Sequence, residues 1–368
     1  MTRRQNADRL LAVLGNPTCA QSFTDRQWSD LVADARSANV LGALSELLAR
    51  AHVKPGLQAA RHLDGARQLS GRQRQSVIWE VHRLQSVLGK LRVPILLLKG
   101  AAYVMAREDV AQGRLFGDID ILVPSESIEA VERELTINGW VSAKSSAYDQ
   151  RYYRQWMHEI PPMTHLRRGT VLDVHHTILP LTSRHAPDPT RIIARSRPLD
   201  TFGIDAIRVP CREDMVIHSI THLVHEGELH NGLRDLRDID CMLRDFSKQD
   251  GFWGRLGPFA AQNDLAQPVV LGLQLARRVF GTPIPEAVFA SLCGQPDAHR
   301  PAPWLIWLYS LALRSGRQDA DDPIVQVARW LIYVRAHALR MPLPQLARHL
   351  ATKAWMRWRD SLKDSNPA

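Results

Sequence analysis

Three acidic residues, Asp118, Asp120 and Asp173, have the types and spacing to hold a divalent cation. Asp118 and Asp120 lie in Gly117-Asp-Ile-Asp-Ile-Leu-Val123, where acids alternate with isoleucines. Successive side chains of a strand point to opposite faces, so Asp118 and Asp120 project together while Ile119 and Ile121 turn to the core. Two such carboxylates repel and do not both ionise without help. Mg²⁺ or Mn²⁺ supplies it, because hard cations take oxygen ligands. Asp173, in Val171-Leu172-Asp173-Val174-His175, is a third acid in an apolar strand pattern. Two acids from one strand and one from a neighbour can hold two metals about 3.5–4 Å apart, the spacing of in-line phosphoryl-type displacement.

Other elements must place these acids. Ile95 to Leu98 is a short apolar run bounded by breakers, which reads as a buried strand. Gly100 then opens a stretch of helix formers, Ala101 to Glu108, and Gly113 and Gly117 punctuate the return. The turn at Gly100-Ala101 would offer backbone N–H groups at a helix start, a favourable place for a phosphate. Lys99 and Arg114 flank it with charge suited to a triphosphate, Arg114 being the stronger candidate in its Gly-bounded loop. His175 shares a face with Asp173 and could orient that carboxylate, touch a phosphate, or simply be a satisfied neighbour. Phosphate turn and acids would then meet at one edge of a small sheet.

The Gly turn, the Asp-x-Asp and the later single Asp resemble the nucleotidyltransferase fold of the DNA polymerase β superfamily. More narrowly, Leu98-Lys99-Gly100, the run Arg114 to Val123, and Leu172-Asp173-Val174-His175-His176 are similar to the family called uncharacterised nucleotidyltransferases. The likeness extends through His222 and Leu233 to Ile239, covering Leu91 to Leu243. It implies an α+β fold, with a small mixed-sheet nucleotidyltransferase core flanked by N-terminal and C-terminal helical regions. The superfamily usually has Gly-Ser where this chain has Gly100-Ala101, so one hydroxyl contact to phosphate is missing. The link from Gly100 to Asp118 is also longer than in minimal members.

Composition is compatible with that reading. The chain has 368 residues, 45% hydrophobic and 23% charged, enough for two or three cored domains. A formal net charge of +9 favours acidic partners such as nucleotides, RNA or an acidic protein surface. Cys19, Cys211, Cys241 and Cys293 form no CxxC pair, which argues against a disulfide framework or thiolate metal site. No apolar run approaches the ~20 residues needed to cross a bilayer, and no signal peptide stands out. The expectation is a cytoplasmic protein with no membrane partner.

Periodicity divides the chain into an N-terminal helical region (1–92), a nucleotidyltransferase core (93–210) and a C-terminal helical domain (211–368). Helical spacing runs over Ser29 to Ala51 and Gly71 to Leu91. In the core, Trp140 to Ala143, Tyr152-Tyr153, His158 to His165 and Thr170 to Ile178 read as strands or edges. Lys144 to Gln150 reads as a loop, Ala186 to Pro198 as a surface helix and linker, and Phe202 to Val209 as a last strand. Helices follow over Glu213 to Val224, Leu233 to Phe246, Val269 to Phe280, Trp304 to Arg314, Ile324 to Ala338 and Leu343 to Asp360.

Three further groups compete for chemistry. A second Asp-x-Asp, Asp238-Ile239-Asp240, lies in a helical pattern, so its acids diverge by about 200° and cannot chelate one ion. Asp235 and Asp238 are expected to pair with nearby arginines. His218, His222 and His225 share a helix face; without a fourth ligand they read as core or site-wall histidines sooner than a zinc site. Trp304, Trp307, Trp330, Trp355 and Trp358 read as helix core, with membrane-surface or RNA contact the lesser reading.

The resulting expectation is a metal-dependent nucleotidyltransferase. It would use Mg²⁺ or Mn²⁺ on Asp118, Asp120 and Asp173, and ATP as default donor. A nucleoside monophosphate would pass to a hydroxyl of a small molecule, a protein or an RNA end, with pyrophosphate released. The alternatives are a non-catalytic nucleotide- or RNA-binding protein on the same fold, or a phosphotransferase.

Overall fold

The computed structural model describes residues 3–142, 147–199, 204–295, 298–314 and 322–342. Four helices come first: α1 (Arg3–Gly15), α2 (Asp25–Ser37), α3 (Leu41–Arg50) and α4 (Leu57–Leu88). Then follow β1 (Ile95–Leu98), α5 (Lys99–Met105), β2 (Asp118–Leu122), α6 (Ile128–Ile137), β3 (Trp140–Ser142), α7 (Ala147–Trp156), β4 (Met163–His165), β5 (Val171–His175), α8 (Pro189–Arg195), β6 (Arg197–Leu199) and β7 (Ile204–Val209). The described chain ends in helices α9 (Arg212–His225), α10 (Gly232–Phe246), α11 (Phe252–Gln262), α12 (Ala266–Phe280), α13 (Glu286–Cys293), α14 (Pro303–Ala312) and α15 (Pro323–Arg340).

The strands form one mixed sheet in the order β3-β4-β5-β2-β1-β7-β6. β2 runs parallel to β5 and β1 parallel to β7, while β1 and β2 are antiparallel. This is an α+β architecture. Every residue of β1 is buried, which explains its unbroken Ile-Leu-Leu-Leu sequence: a central strand covered on both faces has no polar side to show. α5 packs on α4, β1, β2 and α9, and α1 packs on α12. One buried apolar cluster therefore runs from the first helices through the sheet into the last.

Local chemistry explains several ends. Thr24 and Gln27 form a reciprocal capping box at the start of α2. Asp188 and Asp322 cap α8 and α15, each with proline in the first turn, where a missing N–H costs nothing. The helical spacing of Ser29 to Ala51 belongs to two helices, parted where Asn39 turns left-handed with φ 57°. α4 starts at Leu57, well before Gly71.

Some expectations are corrected. Tyr152-Tyr153 belongs to helix α7, not a strand; Tyr152 meets Trp156 one turn on at 5.8 Å, a local i,i+4 pair of the helix. The same helix takes the end of the expected Lys144 to Gln150 loop, whose residues 144–146 lie outside the described residues. Of His158 to His165, only Met163 to His165 forms a strand, because Pro161-Pro162 interrupts the ladder. α11, which contains two glycines and a proline, and the short α13 were not legible as helices. Trp304, Trp307 and Trp330 are 65%, 60% and 61% exposed rather than core. Trp355, Trp358 and the expected helix Leu343 to Asp360 lie outside the described residues. Among the described residues no helix is long and apolar enough to cross a membrane.

One crossing fixes the loop ahead of β2. A Cβ on Gly42 of α3 would sit 2.4 Å from the Gly113 carbonyl oxygen, and Gly113 itself has φ +71°. Backbone meets backbone, so neither side can yield as a flexible side chain would. Gly42→Ala should destabilise the protein by about 1–3 kcal/mol, the usual effect of overpacking. Gly65→Ala, exposed in α4 with open space around its Cβ, should stabilise it by about 0.5–1 kcal/mol. Opposite shifts in urea midpoints test the pair; equal shifts would mean that the crossing is not tight.

Candidate active site

The parallel β2/β5 register sets Asp120 opposite Asp173, with Asp118 opposite Val171. Asp118 opens its strand and is exposed, whereas Asp120 is buried. Lys99 Nζ donates to Asp120 Oδ1 at 2.8 Å, and His175 Nε2 lies 3.1 Å from the same oxygen. Lys99 reaches it from the residue joining β1 to α5, where its own backbone is left-handed, φ 44°. For a non-glycine residue that conformation costs about 1–3 kcal/mol.

The electrostatics divide the three acids. Burial alone would raise the Asp120 carboxyl, but Lys99 and the His175 hydrogen bond overcome it and hold Asp120 well below the usual carboxylate range. Burial, then the negative charge of Asp120 and Glu159, pushes Asp173 up to about 7. Although Asp118 keeps a solvent-facing edge, desolvation by the atoms around it and the charge of Asp120 raise its carboxyl, against Lys99, Arg114 and Arg234. Oδ1 of Asp173 is buried without a hydrogen-bond partner. The donor set is three carboxylates with one unmatched oxygen and two pKa values above normal, a combination that a hard cation relieves.

Glu159 was not singled out from sequence, yet it belongs to the cluster. Its segment runs antiparallel beside β5: Ile160 N donates to Val174 O at 3.0 Å and His176 N to His158 O at 2.9 Å. Glu159 Oε2 comes within 3.4 Å of His175 Nδ1. Burial raises its carboxyl, against the pull of His175 and Lys99. The aromatic spacing before it gave no hint, because α7 and two prolines separate it from the motif.

The expected phosphate ligands are placed unequally. Gly100 and Ala101 are buried at the start of α5. A Cβ on Gly100 would lie 2.6 Å from both Arg114 Nη1 and Phe116, so glycine is needed there for side chains to close over it. Arg114 does not stand free: its Nε donates to Asp238 Oδ2 at 2.7 Å in a nearly buried pair. Asp238 thus takes its closest arginine partner from the sheet loop, with Arg237 of its own helix at 3.6 Å. Asp235 does pair with its neighbour Arg234 at 2.7 Å, and Asp240 is bonded by Arg244 and Thr282. The second Asp-x-Asp therefore serves packing, its two acids engaged by different partners.

α9 contributes the facing wall. Burial and the charges of Lys99 and His175 lower His218 to about 3, and burial with Lys99 and His218 lowers His222. Both are neutral at pH 7. His225 instead meets the ring of His185, 5.7 Å away, so the three histidines do not converge. Beside Asp118 opens a cavity of about 710 Å³, lined by Gln73, Trp79, Glu80, Phe116, Arg168 and Thr170 among others. It reaches the rim of the acid cluster without containing Asp120 or Asp173.

No curated protein matches this chain. Residues 24–281, about 70% of the sequence, match the family described as uncharacterised nucleotidyltransferase. That span includes α2 to α12, and hence the whole sheet, the acid cluster, and the α9 and α10 helices that close it. The chain belongs to the uncharacterised nucleotidyltransferase family.

Proposed function

We propose that the protein moves a nucleoside monophosphate from a nucleoside triphosphate, ATP by default, to a hydroxyl-bearing acceptor. The observation that carries this is the opposition of Asp120 and Asp173 across β2/β5, with Asp118 two residues ahead and Lys99 beside them. The unpartnered Asp173 oxygen and the raised Asp118 and Asp173 carboxyls fit Mg²⁺ or Mn²⁺ held by the three acids. Such an ion, when bound, supplies Lewis acidity to the phosphate oxygens.

The chain's own residues do the rest. Lys99, beside the acids, would meet the phosphates, with Arg114 and Arg234 adding positive field. Asp173 is placed to accept the proton of the acceptor hydroxyl. The freed oxygen attacks the α-phosphorus, the bond to the bridging oxygen breaks, and pyrophosphate leaves. Neutral His218 and His222 wall the site without drawing the phosphates away. The cavity beside Asp118 offers room for the acceptor, a small molecule, a protein side chain or an RNA end. A binding-only protein on this fold, the reading that Ala101 favours, has no use for three converging carboxylates.

The purified protein with ATP and Mg²⁺ should release pyrophosphate in the presence of one of three acceptor fractions: small molecules, proteins or RNA. The acceptor should gain the mass of a nucleoside monophosphate. Asp118→Ala/Asp120→Ala should reduce the rate at least about a hundredfold. Transfer of a bare phosphate would make the protein a phosphotransferase. Nucleotide binding without turnover in any fraction would favour the binding-only protein.

The raised Asp173 pKa gives a second test. In the folded protein this carboxyl keeps its proton to about pH 7, whereas the unfolded chain releases it near the ordinary aspartate value, about 3.9. Stability therefore falls as pH rises between those limits. Without divalent ions, Asp173→Asn should melt above wild type at pH 8, and the gap should narrow toward pH 5. Added Mg²⁺ should raise the melting temperature of wild type at pH 8 more than that of the variant. An unchanged gap across this range would place Asp173 in an ordinary solvated setting.

A further inference from the structure

His158, Glu159 and His175 each offer one ligand atom, and these atoms lie within 4.8 Å of one another. From this geometry we infer a transition-metal site, distinct from the three aspartates, that takes Zn²⁺ or a similar divalent ion on two imidazoles and one carboxylate. Two observations point to it independently of the cluster itself. His158 Nδ1 and His175 Nδ1 are buried and have no hydrogen-bond partner, so both ring nitrogens lack what a metal would provide. The other nitrogen of His175, Nε2, meets Asp120 Oδ1 at 3.1 Å. A histidine whose far nitrogen is fixed by a carboxylate while its near one faces an open point has the carboxylate–histidine–metal arrangement.

The donor set selects the ion. Two histidines and a glutamate suit zinc and neighbouring first-row metals, whereas Mg²⁺ prefers oxygen. The rings of His158 and His175 stack at 5.1 Å with 24° between their planes. Main-chain bonds tie His158 and Ile160 to β5, so the ligands come from two adjoining stretches of backbone rather than a loose loop. Three protein ligands leave a position for water or substrate. An ion here would lock the ring of His175 and, through it, the oxygen of Asp120 that Lys99 also holds. In the rival arrangement a proton occupies His175 Nδ1 and reaches toward Glu159 across 3.4 Å, and no metal is needed.

The test uses no nucleotide, so its outcome is independent of the transferase reading. The chelator-treated full chain is titrated with Zn²⁺ by calorimetry and with Co²⁺ by visible absorption. Asp118→Asn/Asp173→Asn, which removes two of the three aspartates, should still take up about one equivalent, with a Co²⁺ spectrum of nitrogen ligation. His158→Ala and Glu159→Gln should each weaken that uptake at least about tenfold. Glu159→Gln preserves the side-chain shape, so a folding defect in His158→Ala would not hide the answer. Absence of uptake in the aspartate variant overturns the site. So does uptake that His158→Ala and Glu159→Gln leave unchanged.

Discussion

Asp120 and Asp173 stand on neighbouring parallel strands, one strand spacing apart and largely shielded from water, and the site is arranged around that repulsion. Two ionised carboxylates at such a distance are strongly unfavourable where the dielectric is low. The protein separates their behaviour. Asp120 is given an ammonium and an imidazole on one oxygen and stays ionised; Asp173 is given neither and keeps its proton to near neutrality. Two acids of one type thus acquire opposite pKa shifts from their surroundings.

The surrounding helices are arranged to keep that division. α5 carries Lys99 at its first residue, in a strained left-handed conformation that sheet and helix together must enforce. α9 supplies histidines too buried to be cationic, so it walls the cluster without neutralising it. α10 takes Arg114 through Asp238, anchoring the loop that leads into β2. The positive charge nearest the acids is therefore committed to named partners: Lys99 to Asp120, Arg114 to Asp238 and Arg234 to Asp235.

The sheet strands bearing the acids were legible because their signals are local. Ile95 to Leu98, Asp118 to Leu122 and Val171 to His175 are apolar runs bounded by breakers, and alternation alone put Asp118 and Asp120 on one face. The pairing of Asp120 with Lys99 and His175, and the inclusion of His158 and Glu159, were not legible. They depend on a register between strands and on a strip laid beside β5 by α7 and two prolines. The partner of Arg114 was hidden for the same reason: Asp238 is presented by a helix more than a hundred residues later. Tyr152-Tyr153 and the exposed tryptophans of α14 and α15 show that aromatic residues report hydrophobicity but not which element carries them or whether anything covers them.

The contact between Gly42 and Gly113 has a further consequence. Because main chain there rests on main chain, the stretch before β1 cannot be regarded as an accessory that could be trimmed or exchanged while the sheet stays unaltered. The turn preceding Arg114 has α3 as its floor, and removing that floor would free the backbone that aims the arginine at Asp238. In a redesigned or recombined version, these two positions would have to be inherited together, since a side chain at either one forces the other strand of backbone to move.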